Sequence, residues 1–287
     1  MGGRGRVKNF FGIGDKICRR IFTQTNADWI WVRLRESVAA KSALKAMNVY
    51  KYASPATFYP LAGKIIPWFA IPAALLFATG LFVGFFIAPS DFQQGEAYRI
   101  IFIHVPAAWM GMFLYVLMAI YAGIGWAFNA RLSSMMASSL AITGAMFTAI
   151  SLITGALWGK PTWGTYWVWD ARMTSTLILL FLYIGFISLQ AAIDDPRRAD
   201  RAGAVLAIVG VINVPIIYFS VQWWNTLHQG ATIRILQKPT IRGSMLWALL
   251  IMLAACWLYS VAVVLMRLRC IILEREQNAS RFAEVGV

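Results

Sequence analysis

The stretch MLWALLIMLAACWLYSVAVVLM, residues 245–266, is uncharged from end to end and is followed at once by Arg267. An α-helix of about 20 apolar residues crosses the roughly 30 Å hydrocarbon core of a bilayer, so this stretch predicts a transmembrane helix. The whole chain is similarly apolar, because 60% of its 287 residues are hydrophobic and only 13% are charged. A mean hydropathy of +0.64 lies outside the usual composition of soluble domains. The composition therefore indicates a membrane protein.

Five further apolar runs of similar length precede this one. They cover residues 68–88, 106–128, 138–158, 173–192 and 203–222. Because unpaired backbone polar groups are costly in lipid, such runs cross the membrane as helices. We predict an all-α fold, a polytopic membrane helix bundle with six transmembrane helices. None of the six runs contains an acidic, basic or histidine residue, which disfavours an ion pump or an ion-coupled transporter.

Positive charge is distributed unevenly between alternate connecting segments. Twenty of the 26 Lys and Arg residues lie on one side of the predicted membrane, in residues 1–67, 129–137, 193–202 and the tail from 267. Cytoplasmic segments carry such an excess, so we predict that both termini are cytoplasmic. The net charge of +14 then reflects this topology and attraction to anionic lipid, and it does not indicate nucleic-acid binding.

The basic N-terminal segment, residues 1–46, has its own composition. It carries ten Lys or Arg and three acidic residues, and it has no apolar run long enough for a secretory signal. Three interpretations stay open: a disordered or membrane-surface arm, a mitochondrial presequence, or a misassigned start with Met47 as the true first residue. We therefore divide the chain into an extension (1–46), a six-helix membrane domain (47–276) and a cytoplasmic tail (277–287).

Both histidines of the chain fall in the predicted outer loops, which cover residues 89–105, 159–172 and 223–244. His104 immediately precedes the second predicted helix, and His228 follows the fifth. Neutral imidazole is a common ligand of iron. We predict that His104 and His228 bind a metal ion. The alternative is an ordinary interfacial histidine that is solvated or hydrogen-bonded.

The third outer segment, WGKPTWGTYWVWDARMTS (residues 158–175), is unusually aromatic. An interfacial belt needs one or two Trp or Tyr per helix end, and this segment has five: Trp158, Trp163, Tyr166, Trp167 and Trp169. Glycine and proline residues after Trp158 predict an interrupted helix. A short surface helix after the interruption would place Trp163 and Trp167 on one face. We predict an aromatic platform for a planar ligand such as porphyrin, whose iron binds imidazole.

Two charged residues close the segment. Asp170 is a candidate ligand-binding residue, and it is also placed to cap the next helix. Arg172 is a candidate partner for a haem propionate, because guanidinium pairs strongly with carboxylate. A snorkelling arginine at a helix start is the alternative. We predict that these two residues complete the cofactor-binding set formed by the histidines and the five aromatic residues.

The aromatic run resembles the tryptophan-rich WWD motif of haem-handling membrane proteins, in the form found in the cytochrome c maturation protein C family. RIIFIHVPAAW and WWNTLHQGAT resemble the two external histidine segments of that family, and DFQQGEAYRI resembles the stretch ahead of the first. The resemblance extends from about Tyr50 to about Glu276. Tyr166 stands where some members have Trp, which preserves the aromatic surface.

The resemblance implies transient binding of haem b at the periplasmic face of the bacterial inner membrane. It also implies haem delivery to a periplasmic haem chaperone, for maturation of c-type cytochromes. The implied partners are that chaperone, a small single-span membrane protein and ABC transporter subunits. The resemblance also implies haem delivery with no independent catalysis. The chain lacks a phosphate-binding G-x-x-x-x-G-K-[ST] loop, so any ATP use belongs to another polypeptide, and it lacks a C-x-x-C-H site, so it is not itself a c-type cytochrome. The alternatives are a quinone-reactive or cytochrome b-type oxidoreductase subunit and a non-catalytic membrane scaffold.

Overall fold

A computed structural model describes residues 53–228, 241 and 243–285. Over these residues the chain forms seven α-helices and no strand beyond one isolated bridge. The helices are α1 (Pro55–Phe82), α2 (Ile101–Phe128), α3 (Arg131–Trp163), α4 (Ala171–Ala192), α5 (Pro196–Gly210), α6 (Asn213–Trp223) and α7 (Ser244–Val285). The predicted all-α fold is confirmed. The predicted extension, residues 1–46, lies outside the described part of the chain.

Six helical segments of the described chain are long and apolar enough to cross a membrane, which confirms the predicted number. They are Pro55–Ile87, Glu96–Phe128, Arg131–Trp163, Ala171–Ala192, Pro196–Trp223 and Ser244–Glu276. Most are longer than the apolar runs that predicted them. The reason is physical: helical hydrogen bonding continues through polar and aromatic residues at the membrane boundary, whereas hydropathy detects only the apolar centre.

The α2–α3 pair forms the longest seam of the bundle, and small residues hold it together. A Cβ atom on Gly125 would lie 2.3 Å from Ser134 Oγ, and one on Gly111 would lie 2.7 Å from Thr148 Oγ1. No larger side chain fits at either glycine without movement of the helices. Close approach through small residues is a common way to pack helices in membranes, where burial from water contributes little.

Tyr183 of α4 joins the same seam from the side. Its side chain is fully buried, and its hydroxyl donates a hydrogen bond to the Gly111 carbonyl at 2.8 Å. Gly144 of α3 provides the space for the ring. The ring also packs edge-on against Tyr115 of α2, with centroids 4.9 Å apart. Helices α2, α3 and α4 are thereby fixed relative to one another.

The fifth span is broken into α5 and α6 between Gly210 and Asn213. Pro215 has no N–H to donate to the carbonyl four residues earlier, so the helix cannot run through this point with all of its bonds. Asn213, buried beside the break, donates from Nδ2 to the Ser175 carbonyl of α4 at 2.8 Å. The position of α6 is therefore linked to α4.

We expect Gly144→Ala to destabilise the bundle. The added Cβ would lie 2.1 Å from the Tyr183 hydroxyl oxygen, and the buried ring has no free volume to enter. Overpacking of this kind costs about 1–3 kcal/mol or more, which thermal unfolding in detergent would register as a lower Tm. Gly123→Ala is the control, because its Cβ would meet Ile208 at an ordinary 3.6 Å. Equal Tm values for the two variants would contradict this packing argument.

Candidate functional site

An open cleft lies between α2, α3, α4 and α6. Five of the residues predicted from the sequence line this cleft: His104, His228, Trp158, Trp163 and Arg172. The remaining walls are mostly apolar, with hydroxyl groups from Thr148, Ser151 and Thr176. The cleft thus combines aromatic and apolar walls with two imidazoles and one guanidinium.

His104 lies inside α2 and not in the loop 89–105 that hydropathy predicted. A 3₁₀ turn, Glu96–Ile100, starts the helix before the apolar run begins, and α2 continues from Ile101. The side chain is only 8% exposed. Its Nδ1 atom lies 3.0 Å from the Thr154 hydroxyl of α3. This histidine is therefore held in the interior of the bundle at the end of a helix, and not in a solvated loop.

His228 reaches the same place from the opposite wall. It follows α6 and is half-buried. The centroids of the His104 and His228 rings are 6.1 Å apart, with 35° between the ring planes. Two imidazoles that share one metal ion at metal–nitrogen distances of about 2 Å have centroids about 6 Å apart. The distance between the two ring centroids would therefore allow both imidazoles to bind one metal ion.

The donor set favours a metal ion that brings other ligands with it. In the described part of the chain, no group of three or more His, Cys, Asp or Glu side chains is arranged to hold a metal ion. Two imidazoles alone leave most coordination positions to be filled from elsewhere. A porphyrin would bring nitrogen ligands of its own, and His104 and His228 are the residues of the described chain that would hold its iron.

One wall of the cleft is a pair of tryptophans on α3. Trp158 lies edge-on to His104, with centroids 5.7 Å apart and an interplanar angle of 72°. Trp163 lies 6.2 Å from the His228 ring centroid. Each indole therefore accompanies one imidazole. The Trp158 Nε1 donates to Gln94 Oε1 at 2.8 Å, which ties this wall to the loop that precedes α2.

The expected interruption after Trp158 is not present. Helix α3 continues through Gly159 and Pro161 to Trp163, and Gly164 ends it in the left-handed region with φ of 82°. Pro161 lies in the last turn and has no N–H to donate to the Leu157 carbonyl, and the Thr162 hydroxyl donates to the Trp158 carbonyl at 2.7 Å. Gly159 lets the Trp163 ring pack back against the helix. The predicted short surface helix was wrong, and Trp163 belongs to α3.

The other aromatic residues lie on an irregular segment, residues 164–169, which we call the aromatic loop. Trp167 and Trp169 pack edge-on with centroids 5.3 Å apart. Tyr166 and Trp169 are 56% and 74% exposed, and Lys160 Nζ lies 5.4 Å from the Tyr166 ring centroid. These three aromatic residues do not line the cleft. The expected single platform is therefore divided into a cleft wall and an exposed loop.

Asp170 and Arg172 have separate positions. Asp170 is the N-cap of α4, and its Oδ1 accepts from the Met173 backbone N–H at 2.8 Å, so the capping alternative is confirmed. Asp170 does not line the cleft. Arg172 does, and its Nη1 donates to the Ile217 carbonyl of α6 at 3.3 Å. This arginine is directed into the bundle, which disfavours the snorkelling alternative.

Three residues of the site were missed from the sequence: Gln94, Thr154 and Gly155. Thr154 and Trp158 are four residues apart, so they share one face of α3. Once α3 was known to be helical, this spacing could have identified Thr154 as a neighbour of the site. A Cβ atom on Gly155 would lie 3.0 Å from His104 Cε1. Gln94 contacts Trp158, and Gly155 contacts His104. Each contact joins two different elements of the structure, so no local sequence pattern identifies it.

Known proteins resemble this chain over most of its length. The profile of the family described as Heme exporter protein C matches residues 48–283. The chain belongs to this family. Heme exporter protein C of Escherichia coli (strain K12) is 45% identical over 240 residues, which cover 83% of this chain and 96% of that protein. The Bradyrhizobium diazoefficiens protein of that name is 45% identical over 240 residues, covering 84% of this chain and 91% of its own length.

A more distant relative, Heme exporter protein C of Paracoccus denitrificans, is 37% identical over 234 residues, covering 81% of this chain and 97% of that protein. A mitochondrial relative from Marchantia polymorpha, described as a putative cytochrome c biosynthesis ccmC-like protein, is 48% identical over 158 residues. That alignment covers 55% of this chain and 67% of the Marchantia protein. The family match includes every residue that lines the cleft.

We expect Gln94→Leu to loosen the wall at Trp158. The substitution removes the acceptor of the indole N–H, and an unsatisfied buried donor costs about 1–3 kcal/mol. Thermal unfolding in detergent should show a lower Tm, and limited proteolysis should cut the loop before α2 more rapidly. Gln93→Leu is the matched control, since Gln93 is exposed and adjacent. If both variants had the Tm and the proteolysis rate of the parent protein, the Gln94–Trp158 hydrogen bond would not stabilise this wall.

Proposed function

We propose that this member of the Heme exporter protein C family binds haem b transiently in the cleft and delivers it to a periplasmic haem chaperone for c-type cytochrome maturation. One observation carries the proposal. The chain has only two histidines, and they are 124 positions apart (228 minus 104). Their ring centroids lie 6.1 Å apart in a cleft that two tryptophans line. The function therefore rests on a specific pair of imidazoles as well as on family membership.

In this proposal His104 and His228 are the two protein ligands of the haem iron. Histidine is a usual axial ligand of haem. Trp158 and Trp163 flank the imidazoles and offer apolar contact to the macrocycle. The Arg172 guanidinium, directed into the same cleft, is the candidate partner of a propionate, since charge-assisted pairs of guanidinium and carboxylate are the stronger hydrogen bonds.

Delivery requires that haem can leave, and the aromatic loop is the proposed place of transfer. Its exposed rings, Tyr166 and Trp169, start within a few residues of Trp163 on the cleft wall. Tryptophan and tyrosine are frequent anchors of protein–protein interfaces. We propose that the chaperone docks on Tyr166, Trp167 and Trp169, next to the bound haem. The small single-span protein and the ABC transporter subunits are further partners proposed from the family resemblance.

The proposed orientation places this cleft on the periplasmic side of the inner membrane, with both termini in the cytoplasm. The support is the distribution of Lys and Arg, with twenty of 26 in alternate segments that share one side. His104, the aromatic loop and His228 all belong to the opposite side. A periplasmic site suits delivery to a chaperone in that compartment.

The histidine assignment has a direct test. We expect His104→Ala and His228→Ala each to lower the haem content of the purified protein, and the double variant to lose histidine ligation, as read from optical spectra. Gln222→Ala, an exposed position near the end of α6, should leave the spectra unchanged. An unaltered haem spectrum in the double variant would overturn the ligand assignment. Full haem occupancy in the presence of active chaperone would favour a resident cytochrome b-type protein instead.

The division of the aromatic residues predicts different effects for a matched pair of variants. Trp163→Ala should weaken haem retention several-fold, because an aromatic contact contributes about 0.5–1.5 kcal/mol beyond area burial. Trp169→Ala should leave retention unchanged and slow transfer to the chaperone, since its ring is outside the cleft. Haem retention is measured by spectroscopic titration and transfer by loading of purified chaperone. Equal effects of the two substitutions on retention would argue for a single continuous platform.

A further inference from the structure

The hydroxyl of Thr154 has three neighbours that together determine its orientation. Its Oγ1 lies 2.6 Å from the Ile150 carbonyl oxygen and 3.2 Å from that of Ser151, both within its own helix. It also lies 3.0 Å from His104 Nδ1. A hydroxyl has one hydrogen and can accept through its lone pairs, whereas a carbonyl only accepts. The hydrogen is therefore directed to the Ile150 carbonyl, and the lone pairs are left for His104.

This orientation makes His104 the donor of the bond between the two side chains. An oxygen that has already donated its only hydrogen accepts from Nδ1, so Nδ1 carries a proton. The Ser151 carbonyl, three residues before Thr154 on α3, also accepts a hydrogen bond from this imidazole. In neutral imidazole the other nitrogen, Nε2, then has the lone pair. Only a nitrogen with a lone pair can bind a metal ion.

The ring is also held against rotation. Gly155, next to Thr154, lies so close that a Cβ atom there would be 3.0 Å from His104 Cε1. One turn further along α3, Trp158 packs edge-on against the same ring. A half-turn of the imidazole would replace the Nδ1–H with a C–H and lose the bond to Thr154. One turn of α3 therefore controls both the position and the orientation of the imidazole.

We infer that Thr154 is a positioning residue that fixes the Nδ1–H tautomer of His104 and so presents the Nε2 lone pair to the haem iron. The part of this inference that concerns iron rests on the proposed function. The part that concerns the tautomer does not, because it follows from contacts of His104 with α3. Residues that bond to the second nitrogen of a metal-binding histidine typically change metal affinity about 10–100-fold when they are replaced.

The tautomer can be measured without haem, because the chain has only two histidines. Protein labelled with ¹⁵N in the imidazole rings gives one set of nitrogen signals per histidine, and His228→Ala assigns the remaining set to His104. We expect the Nδ1–H tautomer of His104 in the parent protein and in Thr154→Ser, which keeps a hydroxyl. Thr154→Val has nearly the same shape without the hydroxyl, and it should show a mixture of tautomers.

Thr79→Val is the matched control. Thr79 also bonds to the carbonyl four residues earlier in its helix, at 2.9 Å, and it is on α1 away from the cleft. It should leave the His104 signals unchanged. The inference would be overturned by an Nε2–H tautomer in the parent protein, or by a Thr154→Val spectrum that matches the parent spectrum.

Haem titration of the same variants separates the two proposals. We expect Thr154→Val to bind haem about 10–100-fold more weakly than the parent, with Thr154→Ser and Thr79→Val near the parent value. Tm values in detergent identify any variant that fails to fold. If the tautomer depended on Thr154 but the parent protein bound no haem, the proposed function would fail while the positioning role stood. Equal haem affinity of the Val and Ser variants would overturn the role of Thr154 in ligation.

Discussion

The site depends on the close packing of α2 against α3. Three contacts follow this seam from one end to the other: Gly125 with Ser134, Gly111 with Thr148, and His104 with Gly155. At the first two contacts, a small residue allows backbone and side chain to approach within a distance that an alanine would disturb. At the third contact the approaching group is an imidazole. The packing that stabilises the bundle is therefore continuous with the packing that positions His104.

The same seam explains why the two halves of the cleft differ. Helix α3 contributes Thr154, Gly155 and Trp158, all within about one turn, and these residues surround the imidazole of α2. The opposite wall has Arg172 of α4, Ile217 of α6 and His228 beyond α6. One histidine is fixed by helix packing, and the other is placed by a segment that follows a helix end.

The number of spans could be predicted from the sequence. Unpaired backbone polar groups are costly in lipid, so each span is a helix, and its side chains form an apolar run such as 245–266. The residues that line the cleft were predicted in part, since the chain has only two histidines and its tryptophans cluster in one short segment. The helical position of His104 was missed, because a 3₁₀ turn precedes the apolar run and carries no hydropathic signal. The continuity of α3 was also missed, because glycine and proline predict an interruption, whereas α3 continues through Gly159 and Pro161 to Trp163. The contacts of Gln94 and Gly155 depend on tertiary structure and leave no local pattern.

The break in the fifth span is a short irregularity in helical hydrogen bonding. Val211 and Ile212 keep right-handed helical dihedrals, and the Ile212 N–H donates to the Val209 carbonyl, three residues earlier. Two side-chain hydrogen bonds link α6 to α4: Asn213 donates to the Ser175 carbonyl, and Arg172 donates to the Ile217 carbonyl. The wall of the cleft that α6 forms is therefore held to α4 at two points, one at the start of α6 and one at an arginine that itself lines the cleft.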